Sequence, residues 1–342
     1  MRFNTFYALT AAVLVGLAAP AIHAAPGDRY VLVTHAADSD SWWNTIKNSI
    51  KQASEDFGVQ VDYRNPPNGD LSDMARLLEQ AAARNYSGVA FDIADYNVLQ
   101  NAAAKVSAKG IPIVTINSGT EEESKKLKAI MHIGQPEYDA GKAAGEKAKA
   151  AGIKSFVCVN HYATNQASFQ RCQGFADAIG ADMRKSMIDS GMDPTVVASK
   201  VNAYLRNNPK TQAVLALGPN AAEPTIQVLE KMGLNGKIYF ATFDLSPAII
   251  NGIKRGTVTF AIDQQPYLQG YMGIAALVIA HDQKTSDPAK ILAVLKANPK
   301  FQARLKEYDL KPVYTATGVS SGPAFVTKDN VATVEKYAGQ YR

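Results

Sequence analysis

The chain has 342 residues, 46% of them apolar, and a formal charge of +5. That length and apolar share fit two packed domains of ordinary size and exclude a disordered chain. The positive charge is dispersed: its densest stretch, Lys125, Lys126 and Lys128, follows directly on Glu121, Glu122 and Glu123, which marks a solvated face and argues against a nucleic-acid partner.

The chain opens with Arg2, an apolar run from Phe6 to Ala19 broken by Thr10, and Pro20 before small residues. This is the pattern of a secretory signal peptide, residues 1–24. The run is shorter than the about 20 residues that span a bilayer. Cleavage after Ala24 would release a soluble protein into a bacterial periplasm, with no following cysteine placed to accept a lipid.

Beyond the leader, β-branched runs alternate with amphipathic stretches: Tyr30 to Thr34, Trp42 to Phe57, Val59 to Tyr63, Leu71 to Arg84, then Gly88 to Ile93 and Ile111 to Ile116. The alternation restarts after Ile133, with strands expected at Ser155 to Val159, Ala213 to Leu217, Lys237 to Phe243 and Val258 to Ile262. Asp193 and Pro194 read as the N-cap and first-turn proline of a helix running to about Asn207. Strands separated by helix-length segments, twice over, predict an α/β fold of two doubly wound parallel-sheet lobes.

Cys158 falls on an expected strand and Cys172 on the helix after it. In an exported chain they form a disulfide or remain a pair of small buried apolar groups. With His161 alone nearby, they do not complete a zinc site. No metal and no cofactor is expected.

In open parallel sheets ligands bind beyond the carboxyl ends of the strands. Those ends carry Thr34, His35 and Asp40, then Asp92 and Asp95, Asn117 and Ser118, Asn160 to Asn165, Gly218, Asp244, and Asp263 with Gln264. Carboxylates accept two hydroxyl protons and amides both donate and accept, so this set suits the vicinal diols of a sugar or polyol. Trp42 and Trp43 follow the first strand. A flat indole can cover the C–H face of a sugar, while the alternative is that both rings pack in the core of the first helix. Arg171 lies on the helix after the Val157 strand, near Asn160 and Asn165. It reads either as a solvated residue or as a fork of donors facing the cleft.

At these residues the chain resembles the periplasmic sugar-binding proteins of the ribose-binding type over nearly its whole mature length. The resemblance is carried by the Trp42-Trp43 pair, the Ile111 to Ser118 strand, Arg171 before Gly174-Phe175, Phe243-Asp244, and Gln264 ahead of Pro266. It implies type I periplasmic binding architecture, in which the chain crosses between lobes near Gly134, Gln264 and Pro312. The N-terminal lobe would then hold residues 25–133 and 265–311, and the C-terminal lobe 134–264 and 312–342.

By the same resemblance Asp40, Asn117, Ser118, Arg171, Asp244 and Gln264 would hydrogen-bond a ligand held between the two Trp rings and the far lobe. Asp92 and Asn165 join this set from the strand ends. Ribose binders carry an Asp-Arg pair where this chain has Asn117-Ser118, an amide at Gly218 and an aromatic at Met192, which leaves the particular sugar open. The segment from Asp282 to Leu310 is an addition relative to ribose binders. The implied function is capture of a monosaccharide or small polyol for an ABC permease by hinge closure, by a monomer that can also carry its ligand to a chemoreceptor.

Two other classes use similar features. A glycosidase needs two carboxylates about 5 to 9.5 Å apart, and Asp40, Asp92 and Asp244 are the available ones. No Gly-x-Ser-x-Gly elbow, His-Glu-x-x-His helix or phosphate loop accompanies them, so no enzymatic activity is expected. A sugar-responsive repressor would begin with a helix-turn-helix where this chain has its leader.

Overall fold

The computed structural model describes residues 27–342, so the expected signal peptide lies outside the described residues. The first lobe begins with β1 (Arg29–Val33), α1 (Trp43–Phe57), β2 (Gln60–Arg64), α2 (Leu71–Ala83), β3 (Gly88–Asp92), α3 (Tyr96–Ala108), β4 (Ile113–Ile116), α4 (Glu121–Lys126) and β5 (His132–Gly134). Side chains fix the helix starts. Asp70 and Asp95 accept the third backbone N–H of α2 and α3, and Thr120 with Glu123 forms a reciprocal capping box on α4. Asp95 is therefore a helix cap, and it does not line the cavity between the lobes.

The chain then crosses to the second lobe and runs through α5 (Glu137–Ala150), β6 (Phe156–Asn160), α6 (Gln166–Ile179), α7 (Met183–Ser186), β7 (Met187–Asp189), α8 (Pro194–Asn207), β8 (Ala213–Ala216), α9 (Pro219–Lys231), β9 (Tyr239–Phe243), α10 (Pro247–Arg255) and β10 (Phe260–Asp263). The α8 helix has the expected bounds: Pro194 is its first residue and the Asp193 carboxylate accepts from Thr195 and Val196. A second crossing leads to α11 (Pro266–Asp282), α12 (Pro288–Ala297), α13 (Pro299–Glu307), β11 (Val313–Tyr314) and β12 (Gly318–Ser320). A third leads to β13 (Ala324–Val326) and α14 (Val331–Val334).

The first sheet has the order β11-β12-β5-β4-β3-β1-β2 and the second β13-β10-β9-β8-β6-β7. Both are parallel except at one edge, where β11 pairs antiparallel with β12 and β13 with β10. Central strands are buried along their length, as β3 and β6 are at every residue, because helices cover both faces. This is the expected two-lobe α/β architecture with one correction. Val313 to Ser320 belongs to the first lobe's sheet through the β12–β5 pairing, so the third crossing falls at Ser321 to Pro323 instead of near Pro312. Two strands of two and three residues carry too little periodicity to be read from sequence.

The three crossings are bound to one another. Ser321 N donates to Gly134 O at 2.9 Å, and the Gln265 side chain donates to Ser321 O at 2.5 Å while accepting from Lys311 N at 2.7 Å. Gly322 permits this approach: a Cβ there would lie 2.4 Å from Gln135 Oε1 and 3.1 Å from Gln264 Cα.

The Asp282 to Leu310 segment thickens the first lobe. Ile291, Leu292, Leu295 and Phe301 enter the core that contains α1 and α11, and Arg304 pairs with Asp56 of α1 at 3.1 Å. The same segment meets the far end of the chain, since Arg342 donates to Tyr308 O at 2.7 Å and to the Asp263 carboxylate at 2.7 Å. Cys158 of β6 and Cys172 of α6 are joined as a disulfide inside the second lobe's core.

Candidate ligand site between the lobes

Strand ends of both sheets face one narrow cavity, with a volume of about 40 Å³. From the first lobe it receives His35, Asp40, Trp42 and Trp43 after β1, and Asn117 and Ser118 after β4. From the second it receives His161, Tyr162 and Asn165 after β6, Gly218 after β8, Asp244 after β9 and Gln264 after β10, with Ser168 and Arg171 from α6. All the expected contact residues except Asp92 line this cavity.

Asp92 has another task. Its carboxylate accepts from His35 N at 3.0 Å and meets His35 Nδ1 in a short contact, both groups being buried. The neighbouring bonds assign the His35 tautomer. Asn165 Oδ1 accepts from Ala167 N at 2.9 Å, which turns Asn165 Nδ2 toward His35 Nε2 and Ser118 Oγ, each at 3.1 Å. His35 Nε2 is therefore an acceptor and Nδ1 carries the proton toward Asp92. Burial opposes charge on His35, but Asp92 more than offsets it and raises the pKa above its ordinary value. A second proton would set an N–H against the Asn165 amide, so this contact between lobes requires neutral His35.

Asp40 also joins the lobes. It accepts from Tyr162 Oη at 2.8 Å and from Asn220 Nδ2 at 3.1 Å. Trp42 and Trp43 sit at the start of α1, with ring centroids 5.0 Å apart and planes inclined by 84°. Both are buried in the first lobe's core and both line the cavity, so the two readings of the pair are not alternatives. The inclination rules out parallel stacking of both rings on one ligand plane; one indole offers its face and the other its edge.

The second lobe supplies a buried ion pair. Arg171 donates from Nε and Nη2 to the two oxygens of Glu137, each at 2.7 Å, and from Nη1 to Leu217 O at 3.0 Å. Its guanidinium lies 4.4 Å from the centre of the Phe243 ring. The pair forms because α5 and α6 touch backbone to backbone. A Cβ at Gly141 would lie 2.1 Å from Arg171 O, and one at Gly174 equally close to Tyr138 O. Glu137 was not visible as a site residue in sequence; the spacing of Ala140, Gly141, Ala144, Gly145 and Ala148 was the available sign of a close helix contact. Arg171 also supports the fold, contrary to a purely ligand-facing role.

Asp244 and Asn117 stand at matching strand ends of the two lobes, and both adopt left-handed backbone, with φ of 66° and 57°. Such conformations in residues other than glycine cluster at functional sites. Gln264 connects them, accepting from Asn117 Nδ2 at 3.2 Å and donating to Asp244 Oδ1 at 2.8 Å. Burial pushes the Asp244 pKa up to about 7, against the lowering effects of Arg171, Gln264 and Trp42. Trp42 Nε1 approaches Asp244 as a donor but falls outside hydrogen-bond geometry, so Trp42 Nε1 and His161 Nδ1 are buried atoms without a closed hydrogen bond. His161 and Tyr162 were within the polar strand-end set read from sequence, but their places on the cavity wall come from the structure.

A cavity walled by strand ends from two parallel-sheet lobes, with three crossings behind it, defines a two-lobe binding protein. The chain belongs to the periplasmic binding protein family: the family model described as a periplasmic binding protein domain matches residues 30–285. Its relatives bear out the resemblance to the ribose-binding type. The ribose import binding protein RbsB of Haemophilus influenzae is 24% identical over 274 residues, 78% of this chain and 90% of that protein. The xylose/arabinose-binding protein XylF of Sulfolobus acidocaldarius is 23% identical over 270 residues, 74% of this chain, which spans 66% of that protein's length. Among solved structures, a carbohydrate transporter from Acidothermus cellulolyticus in complex with myo-inositol superposes with a TM-score of 0.78 at 28% identity, covering 92% of this chain and all of that one.

Two consequences can be measured. Arg171→Met leaves the buried Glu137 without its counter-charge and is expected to destabilise the protein by about 3 to 5 kcal/mol in urea, with much of the loss recovered on adding Glu137→Gln. A double variant no more stable than the single one would contradict the pairing. For Asp244, a folded-state pKa raised from 3.8 to about 7 favours folding below the unfolded value and loses that contribution as pH rises through about 7. Without added sugar, Asp244→Asn is therefore expected to gain about 2 kcal/mol on the wild-type protein between about pH 5 and pH 8. A pH-independent difference between the two melting curves would contradict this.

Proposed function

We propose that the chain is the periplasmic substrate-binding component of an ABC importer and holds a neutral monosaccharide or cyclic polyol in the cavity between its lobes. The observation that carries this reading is the chemistry of the cavity wall. Asp40 and Asp244 offer carboxylates, Asn117, Asn165 and Gln264 offer amides, and Trp42 Nε1 and His161 Nδ1 are unpartnered. The cation on that wall, Arg171, is matched by Glu137. A carboxylate or phosphate on the ligand would face Asp40 and Asp244 with no unmatched positive charge, whereas hydroxyl groups can donate to both.

The sugar-binding relatives support this class, and the myo-inositol complex extends it to cyclic polyols. In this reading Asp40, Trp42, Trp43, Asn117, Ser118, Asn165, Arg171, Asp244 and Gln264 contact the ligand, with Asp92 acting through His35. Ligand that joins groups of both lobes favours the closed arrangement by its differential affinity, and the closed pair of lobes is what a permease recognises. The leader-like start of the sequence supports export to the periplasm.

The test is a thermal-shift and titration-calorimetry panel of myo-inositol, D-ribose, D-allose, D-xylose and L-arabinose beside D-glucuronate and D-ribose 5-phosphate. At least one neutral compound is expected to raise the melting temperature and bind with a Kd near ~1 μM, or roughly 8 kcal/mol. It should also change the fluorescence of Trp42 and Trp43, the two tryptophans of the chain. Stabilisation by the charged compounds alone would overturn the proposal.

A further inference from the structure

We infer that a second small-molecule site lies in a groove beside the first crossing, separate from the sugar cavity, and that it takes a small organic ammonium ion. The groove has a volume of about 330 Å³. His132, Gly134 and Val319 of the first lobe form one wall, and Pro136, Tyr138 and Gln170 of the second form the other.

One acceptor at this groove has no donor. Thr115 donates its hydroxyl proton to Ser124 Oγ at 2.7 Å, so its oxygen accepts from His132 Nδ1 at 3.0 Å. That leaves His132 Nε2 a bare lone pair, buried and without a partner. Burial also drives the His132 pKa down to about 4, which keeps the ring neutral. Gln135 Nε2 donates to Glu137 at 2.8 Å, while its Oε1 lies against Gly322 at the third crossing. Buried acceptors without donors are rare enough to call for an explanation. Gly134 leaves the room beside the imidazole: a Cβ there would stand 2.5 Å from His132 Nε2.

Charge selects the class of donor. The ionised residues lining the groove are Glu121, Glu137 and Asp139, with no lysine or arginine among them. Arg171 matches Glu137 from the other side, which leaves Glu121 and Asp139 as net negative charge. Glu137 and Asp139 occupy the first turn of α5 and offset its positive helix end. An ammonium group brings a donor for His132 Nε2 and charge for the two acids, while Pro136, Val319 and the partly exposed Tyr138 ring suit a short alkyl body. Because the walls belong to different lobes, the groove is complete only when the lobes are closed.

Saturation-transfer NMR on the full chain tests this with n-butylammonium, n-butanol and butyrate, which share shape and differ in charge. Butylammonium at millimolar concentration is expected to give the strongest transfer. Gln170→Trp, which fills the groove without touching the sugar cavity, is expected to weaken its binding about tenfold. Thr315→Trp, at the exposed rim, serves the same purpose should Gln170→Trp fail to fold. Transfer from butanol or butyrate as strong as from butylammonium would overturn the ammonium assignment. Undiminished transfer in the folded tryptophan variant would overturn the location, and no transfer from butylammonium would overturn the site.

Discussion

The side chain of Gln264 holds the organisation of this molecule together. It stands where the chain leaves β10 for α11, accepts a proton from Asn117 of one lobe and donates one to Asp244 of the other. Gln269 and Ser321 extend the same network, since Gln269 Nε2 donates to Gln264 Oε1 at 3.1 Å and to Ser321 Oγ at 2.9 Å. Buried amides are costly unless satisfied, and a fully connected set specifies one arrangement of its members. Here that arrangement is the relation of the two cavity walls to the three crossings.

The two lobes repeat each other in ways that matter for the site. Asn117 and Asp244 follow corresponding strands with the same left-handed backbone, and Gln-Pro opens the lobe change at Gln135-Pro136 as at Gln265-Pro266. Where the repeat departs from itself, the chemistry differs. The Asn117 end is neutral, while Asp244 is a buried acid with Arg171 near it. The cavity therefore has one wall rich in aromatic and amide groups and one whose charge depends on pH near neutrality.

Much of the fold was legible in sequence because buried parallel strands and amphipathic helices alternate in long, regular segments. The α8 cap at Asp193-Pro194 is an example in which local chemistry fixes the element. The third crossing was displaced because β11 and β12 are too short to carry a pattern. Most of the cavity wall was legible as polar residues at strand ends. Asp92 was assigned to the ligand on that ground, although the strand places its carboxylate behind His35. Glu137, 34 residues from Arg171, was hidden because the pair depends on the close approach of α5 and α6. The Asp282 to Leu310 segment showed its role only once Phe301 and Arg304 were seen against α1 and α11.

The central claim is that ligand binding and lobe closure are one event. The direct measurement is the distance between spin labels at Ser72 and Thr195, exposed positions at the cleft-facing starts of α2 and α8. It is recorded with and without the neutral sugar or polyol that most raises the melting temperature. The account predicts that saturating ligand moves the distribution to a single, shorter and narrower distance. A distribution unchanged by a ligand shown to be bound would contradict it.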